Sequence, residues 1–149
     1  MEMITQNERG LPMGIIFDPS VEHRIMVCVT PQKSCERLIK RGAARARELG
    51  GEFCVVYVNK SEDLNKDLKQ HKILLELFEM AKNLGGTVSI LAGKKVYQTL
   101  ADYARNNQIT HIIVGKSLQS AFDVQKNGEV INPLIKAVEK NGIVVEIVE

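Results

Sequence analysis

Five short apolar runs punctuate the chain, at Arg24–Thr30, Glu52–Asn59, Thr87–Leu91, Thr110–Val114 and Ile143–Val148. They are rich in Val and Ile, with Cys28 and Cys54 inside the first two, and they alternate little. Such runs suit strands buried on both faces of a parallel sheet. Between them the apolar spacing changes to three and four. Ser34–Leu49 carries Leu38, Ile39, Ala43, Ala46 and Leu49 along one stripe. Glu62–Leu84 carries Leu64, Leu68, Leu75, Phe78 and Ala81, widened by Ile73, Leu74 and Leu77. Val96–Asn106 and Glu129–Lys140 complete the set of predicted helices.

The predicted helix exits repeat. Gly50-Gly51 and Gly85-Gly86 follow the first two helices, where glycine supplies the left-handed conformation that ends a helix. Asn106-Asn107 and Asn141-Gly142 are read in the same way. The alternation predicts an α/β fold: a single doubly wound five-stranded parallel sheet, order 3-2-1-4-5. Helices cover both faces through right-handed crossovers. Residues 1–22 break the pattern with Gly10, Pro12, Gly14 and Pro19. They read as an N-terminal arm, with a short extended piece at Gly14-Ile15-Ile16-Phe17, leaving 23–149 as the domain.

Composition narrows the picture. A chain of 149 residues suits one domain with its own core. With 44% hydrophobic and 26% charged residues and a net charge of +2, neither nucleic acid nor an anionic membrane is an expected partner. Met1-Glu2-Met3 opens no signal peptide, and Phe53–Val58 is too short to span a bilayer. A cytoplasmic protein without membrane insertion is expected. Cys28, Cys35 and Cys54 lack metal-ligand or CxxC spacing, and Cys28 and Cys54 read as small buried hydrophobes. His23, His71 and His111 are scattered, so no metal site is expected. No nucleophile-elbow motif occurs, and an enzyme is not expected.

In open parallel sheets a ligand binds beyond the carboxyl ends of the strands, where strand order reverses. Here that places Thr30-Pro31-Gln32-Lys33-Ser34 opposite Gly115-Lys116-Ser117-Leu118-Gln119-Ser120. The second loop offers a glycine backbone, a lysine and two hydroxyls. The helix starting near Glu129 aims its amides at the same place, a combination suited to phosphate. It is not a P-loop, because the required first glycine position is Thr110, inside a strand.

Four segments resemble the universal stress protein domain of Kdp-type potassium sensor kinases. They are Arg24-Ile-Met-Val-Cys-Val-Thr-Pro, Ser34-Cys-Glu-Arg-Leu-Ile-Lys-Arg, Phe53-Cys-Val-Val-Tyr-Val and Thr110-His-Ile-Ile-Val-Gly-Lys-Ser. The resemblance covers roughly 23–149 and implies the universal-stress-protein, adenine-nucleotide-alpha-hydrolase-like fold. The wider family binds ATP or AMP through an Asp after the first strand and a Gly-x2-Gly-x9-Gly-Ser/Thr segment after the fourth. This chain has Thr30 at the Asp position and reads Gly115-x2-Leu118-x9-Gly128-Glu129. Some Kdp-type domains bind cyclic di-AMP through a Ser-rich loop and a Phe-Thr-Ala-x-Tyr segment. Here Phe53 and Tyr57 remain, and the serine pair is Thr30 and Gln32.

The nucleotide-binding set implied by the two loops and the resemblance is Thr30, Pro31, Ser34, Tyr57, Val58, Gly115, Lys116, Ser117 and Gly128. The expected function is a stand-alone regulatory module that binds ATP, AMP or cyclic di-AMP in stress or potassium-related signalling. The alternative is a nucleotide-free interaction and dimerisation module with a degenerate site. The apolar last strand predicts a homodimer through that edge. The basic first helix, with Lys33, Arg37, Lys40, Arg41, Arg45 and Arg47 offset by Glu36 and Glu48, reads as a solvated face, as a surface for an acidic protein partner, or as a source of a phosphate contact from Arg37 or Lys33.

Overall fold

The computed structural model describes residues 21–59, 68–116, 118 and 130–148. All but the last two positions of the predicted arm, and the 62–67 start of the second predicted helix, lie outside the described residues. The strands are β1 (Arg24–Cys28), β2 (Glu52–Asn59), β3 (Thr87–Ala92), β4 (His111–Gly115) and β5 (Val144–Val148). The helices are α1 (Glu36–Leu49), α2 (Leu68–Asn83), α3 (Val96–Asn106) and α4 (Ile131–Glu139). All strand pairs are parallel and the order is β3-β2-β1-β4-β5, as the alternation predicts.

The interior strands are apolar on both sides because both sides are covered. Ile25, Val27, Phe53, Val55 and Ile113 meet α1 and α2. Met26, Cys28, Cys54, Val56, Ile112 and Val114 meet α3 and α4. A fully buried Ile, Leu or Val contributes about 1.5–3 kcal/mol, so two continuous layers hold the sheet between them. α1 approaches β1 closely at Gly42, where an added Cβ would stand 2.3 Å from Val27 Cγ2.

Boundaries differ in instructive places. α1 begins at Glu36, because Lys33–Cys35 form a 3-10 turn first and no side chain caps either helical start. α4 begins at Ile131, and Glu129 lies outside the described residues. Gly50 and Gly85 take the expected left-handed conformation, with φ of 66° and 91°. After α3 that conformation falls on Gln108, with φ 52°, and not on the asparagines. Among the described residues no helix is long and apolar enough to cross a membrane.

Candidate functional site

The carboxyl ends of β1, β2 and β4 converge on the point where the order reverses. Val27 pairs with Ile113, so Thr30 and Lys116 lie equally far beyond that pair on adjacent strands. Cys28 pairs with Val56, and Val29 N–H donates to Val56 O at 3.0 Å, which brings Tyr57 beside the same end. Thr30, Pro31, Tyr57, Gly115 and Lys116 are thereby gathered at one end of three neighbouring strands. Ser117 and Gly128 lie outside the described residues.

These positions differ in what they expose. Thr30 is 2% exposed. Its hydroxyl donates to Gln32 Oε1 at 2.9 Å and lies 3.6 Å from Cys35 Sγ. Its own N–H reaches the same sulfur at 3.5 Å. The loop after β1 is thus held by its own side chains. Pro31 is half-buried, while Ser34 and Lys116 are exposed. Tyr57 is half-buried on the α1 and α2 face, where burial pushes its phenol up. Val58 is buried on the opposite face, so only its backbone can meet a ligand. Gly115 is the buried last residue of β4.

Three residues outside the expected nucleotide-binding set shape this end of the sheet. Gln32 and Cys35 fix Thr30, and the signal for Cys35 was its place on the buried stripe of Leu38, Ile39 and Ala43. Leu118 is 4% exposed and packs with α3 and α4; it and Lys116 are helical where the sequence predicts a loop, so the chain turns straight from β4 into helix.

The other chemistry is structural. Burial pushes the Cys28 thiol up, and Cys54 up to about 12, so neither is poised as a nucleophile. Among the described residues no three metal-ligating side chains converge. The histidines are less scattered than the sequence suggested. Adjacent β1 and β4 bring His23 and His111 into edge contact, ring centroids 5.8 Å apart. Thr110 Oγ1 lies 2.9 Å from His111 Nδ1, while His23 Nδ1 is buried with no hydrogen-bond partner among the described residues.

No protein-family model matches the chain. It is similar to the sensor protein KdpD of Mycobacterium tuberculosis (strain ATCC 25618 / H37Rv), 31% identical over 99 residues. That alignment covers 66% of this chain and 11% of the relative, so the chain spans about a tenth of the relative's length. A putative sensor protein KdpD of Synechocystis sp. (strain ATCC 27184 / PCC 6803 / Kazusa) is 27% identical over 124 residues, covering 78% of this chain and 31% of that protein. Among solved structures, a universal stress protein in complex with cAMP superposes with a TM-score of 0.64 at 17% identity. It covers 87% of this chain and 98% of its own. The universal stress protein from Archaeoglobus fulgidus in complex with dAMP gives 0.62 at 20% identity, covering 85% and 98%. The fold is that of the universal stress proteins.

Proposed function

We propose that this chain is a nucleotide-binding regulatory module without catalytic activity of its own. Its ligand sits between the loop after β1 and the segment that leaves β4 at Gly115 and Lys116. The observation that carries this reading is the convergence of Thr30, Tyr57, Gly115 and Lys116 at the carboxyl ends where strand order reverses. Buried Gly115 offers close backbone approach, and exposed Lys116 offers a cation to a phosphate. Pro31, Ser34 and the backbone of Val58 complete the described part of the site, and Ser117 and Gly128 extend it outside the described residues. Solved proteins of the same fold hold cAMP and dAMP, which supports an adenine nucleotide. We infer ATP, AMP or cyclic di-AMP as the ligand. Similarity to KdpD sensors supports a cytoplasmic role in stress or potassium-related signalling.

The edge strand β5 leaves Val144 52% and Ile147 43% exposed, which supports a homodimer through that edge. Calorimetric titration of the full chain with AMP, ATP, cAMP and cyclic di-AMP tests the ligand. Saturable heat with one of them is expected; no heat and no thermal shift with any would overturn the reading.

One observation favours a second reading, a nucleotide-free interaction module. The Thr30 hydroxyl is buried against Gln32 and Cys35, which leaves its backbone as the group it can offer a ligand. Under that reading the purified chain carries no nucleotide and still dimerises.

A further inference from the structure

α1 and α2 lie side by side on one face of the sheet and pack through Leu38, Ile39, Leu77 and Phe78 beneath their outer edges. A groove runs between them. One stretch, about 260 Å³, is lined by Lys33, Glu36, Ile73, Glu76, Leu77 and Met80. The adjoining stretch, about 420 Å³, shares Glu76 and Met80 and adds Lys40, Glu79, Asn83 and Leu84. From Ile73 to Leu84 the groove follows roughly 16 Å of helix, about three turns.

Its floor is apolar. Leu77 is buried, Ile73 and Met80 are half-buried, and Leu84 is 41% exposed. Its rims are charged and differ in sign. α2 offers Glu76 and Glu79. The opposite rim offers Lys33 and Lys40, with Glu36 between them. Among the described residues none of these five charges has an ion-pair partner. By contrast Arg24, Arg41, Arg45 and Arg105 are all paired.

We propose that this groove docks an amphipathic helix of a partner protein, about three turns long. Its apolar stripe lies on Ile73, Met80 and Leu84. Carboxylates along one flank meet Lys33 and Lys40, and cations along the other meet Glu76 and Glu79. A nucleic acid or an anionic lipid surface fits poorly, because the two glutamates repel phosphate. Among the described residues, α3 and α4 of a second copy offer no matching face. The outer face of α3 shows Gln98, Asp102 and Arg105, and that of α4 shows Asn132, Lys136 and Glu139, with no apolar stripe among them.

The test uses the full chain and two fluorescent helical peptides that share one Leu stripe. One carries Glu on the flank facing α1 and Lys on the flank facing α2; the other has the flanks exchanged. Fluorescence anisotropy should show saturable binding of the first and about tenfold weaker binding of the second, since exposed, screened charge pairs each contribute little and only their sum discriminates. The doubly reversed chain, Lys40→Glu with Glu79→Lys, should invert that order; both residues are exposed, and circular dichroism checks that the fold survives. Binding of neither peptide, equal binding of both, or an unchanged order in the reversed chain overturns the proposal. Self-association abolished by the same reversal in sedimentation assigns the groove to a second copy and overturns it as well.

Discussion

Arg41 of α1 donates its Nε hydrogen to Glu146 Oε2 of β5 across 2.6 Å. Arg45, one turn further along, donates to the other oxygen at 3.1 Å. α1 meets the interior strands with apolar side chains but reaches the edge strand with charge. Desolvation raises the Glu146 carboxyl, yet the two guanidiniums outweigh it and hold the group below its ordinary 4.5.

Glu146→Gln should therefore lower stability by about 1 kcal/mol, because the pairs are partly exposed and screened. Urea denaturation should show the loss at low salt and a smaller one in molar salt. The sign with pH follows from the lowered value. The contribution is present above 4.5 and is lost as pH falls from there through the folded value. A wild-type minus variant difference that is the same at pH 7 and pH 3 would refute this.

Acid should also act through His111. Burial first, then His23 and Arg45, hold its imidazole below the ordinary 6.5, against a smaller opposing pull from Glu146. The folded chain thus favours the neutral ring, and stability falls as pH drops from 6.5 through the lowered value. His111→Gln should flatten that part of the stability–pH curve. A slope identical to wild type between pH 7 and pH 5 would count against it.

Leu118→Ala should cost about 2–4 kcal/mol, since it empties a buried site between α3 and α4. The melting temperature should drop by several degrees. A shift within error would mean that this side chain does not pin the segment that leaves β4.

Thr30→Val keeps the shape and removes the hydroxyl shared with Gln32 and Cys35. The expected loss is about 1 kcal/mol. Under the nucleotide reading its affinity for AMP should stay within about twofold, since that hydroxyl faces inward. A tenfold loss of affinity would show that Thr30 touches the ligand after all.

Lys116→Ala should weaken AMP by about tenfold and leave adenosine unchanged, as expected when a cation meets the phosphate. Equal weakening of both ligands would move Lys116 away from the phosphate.

The sheet was legible because its information is local and repeated. Val-Ile runs and three-four spacing name the elements, and Gly50 and Gly85 end helices where only backbone freedom matters. The alternation implies the parallel sheet, whereas the order 3-2-1-4-5 is one of several that fit it. What the sequence hid depends on distance along the chain. His23 and His111 touch across 88 positions, and Arg41 reaches Glu146 across 105. No window along the sequence contains either pair. The candidate site was legible only as the two chain segments at the switch point, which is a property of strand order. The inward turn of Thr30 was not, because it depends on Gln32 and Cys35 folding back upon it.

Lys33 belongs to two neighbourhoods. It stands in the loop after β1 and also on the rim between α1 and α2. One ammonium group cannot neutralise an anion at both addresses. A phosphate that draws it toward the strand ends withdraws it from a carboxylate on the rim, and the reverse holds equally. If the two proposed sites both draw on Lys33, their occupancies are antagonistic, and thermodynamic reciprocity makes the penalty the same whichever ligand arrives first.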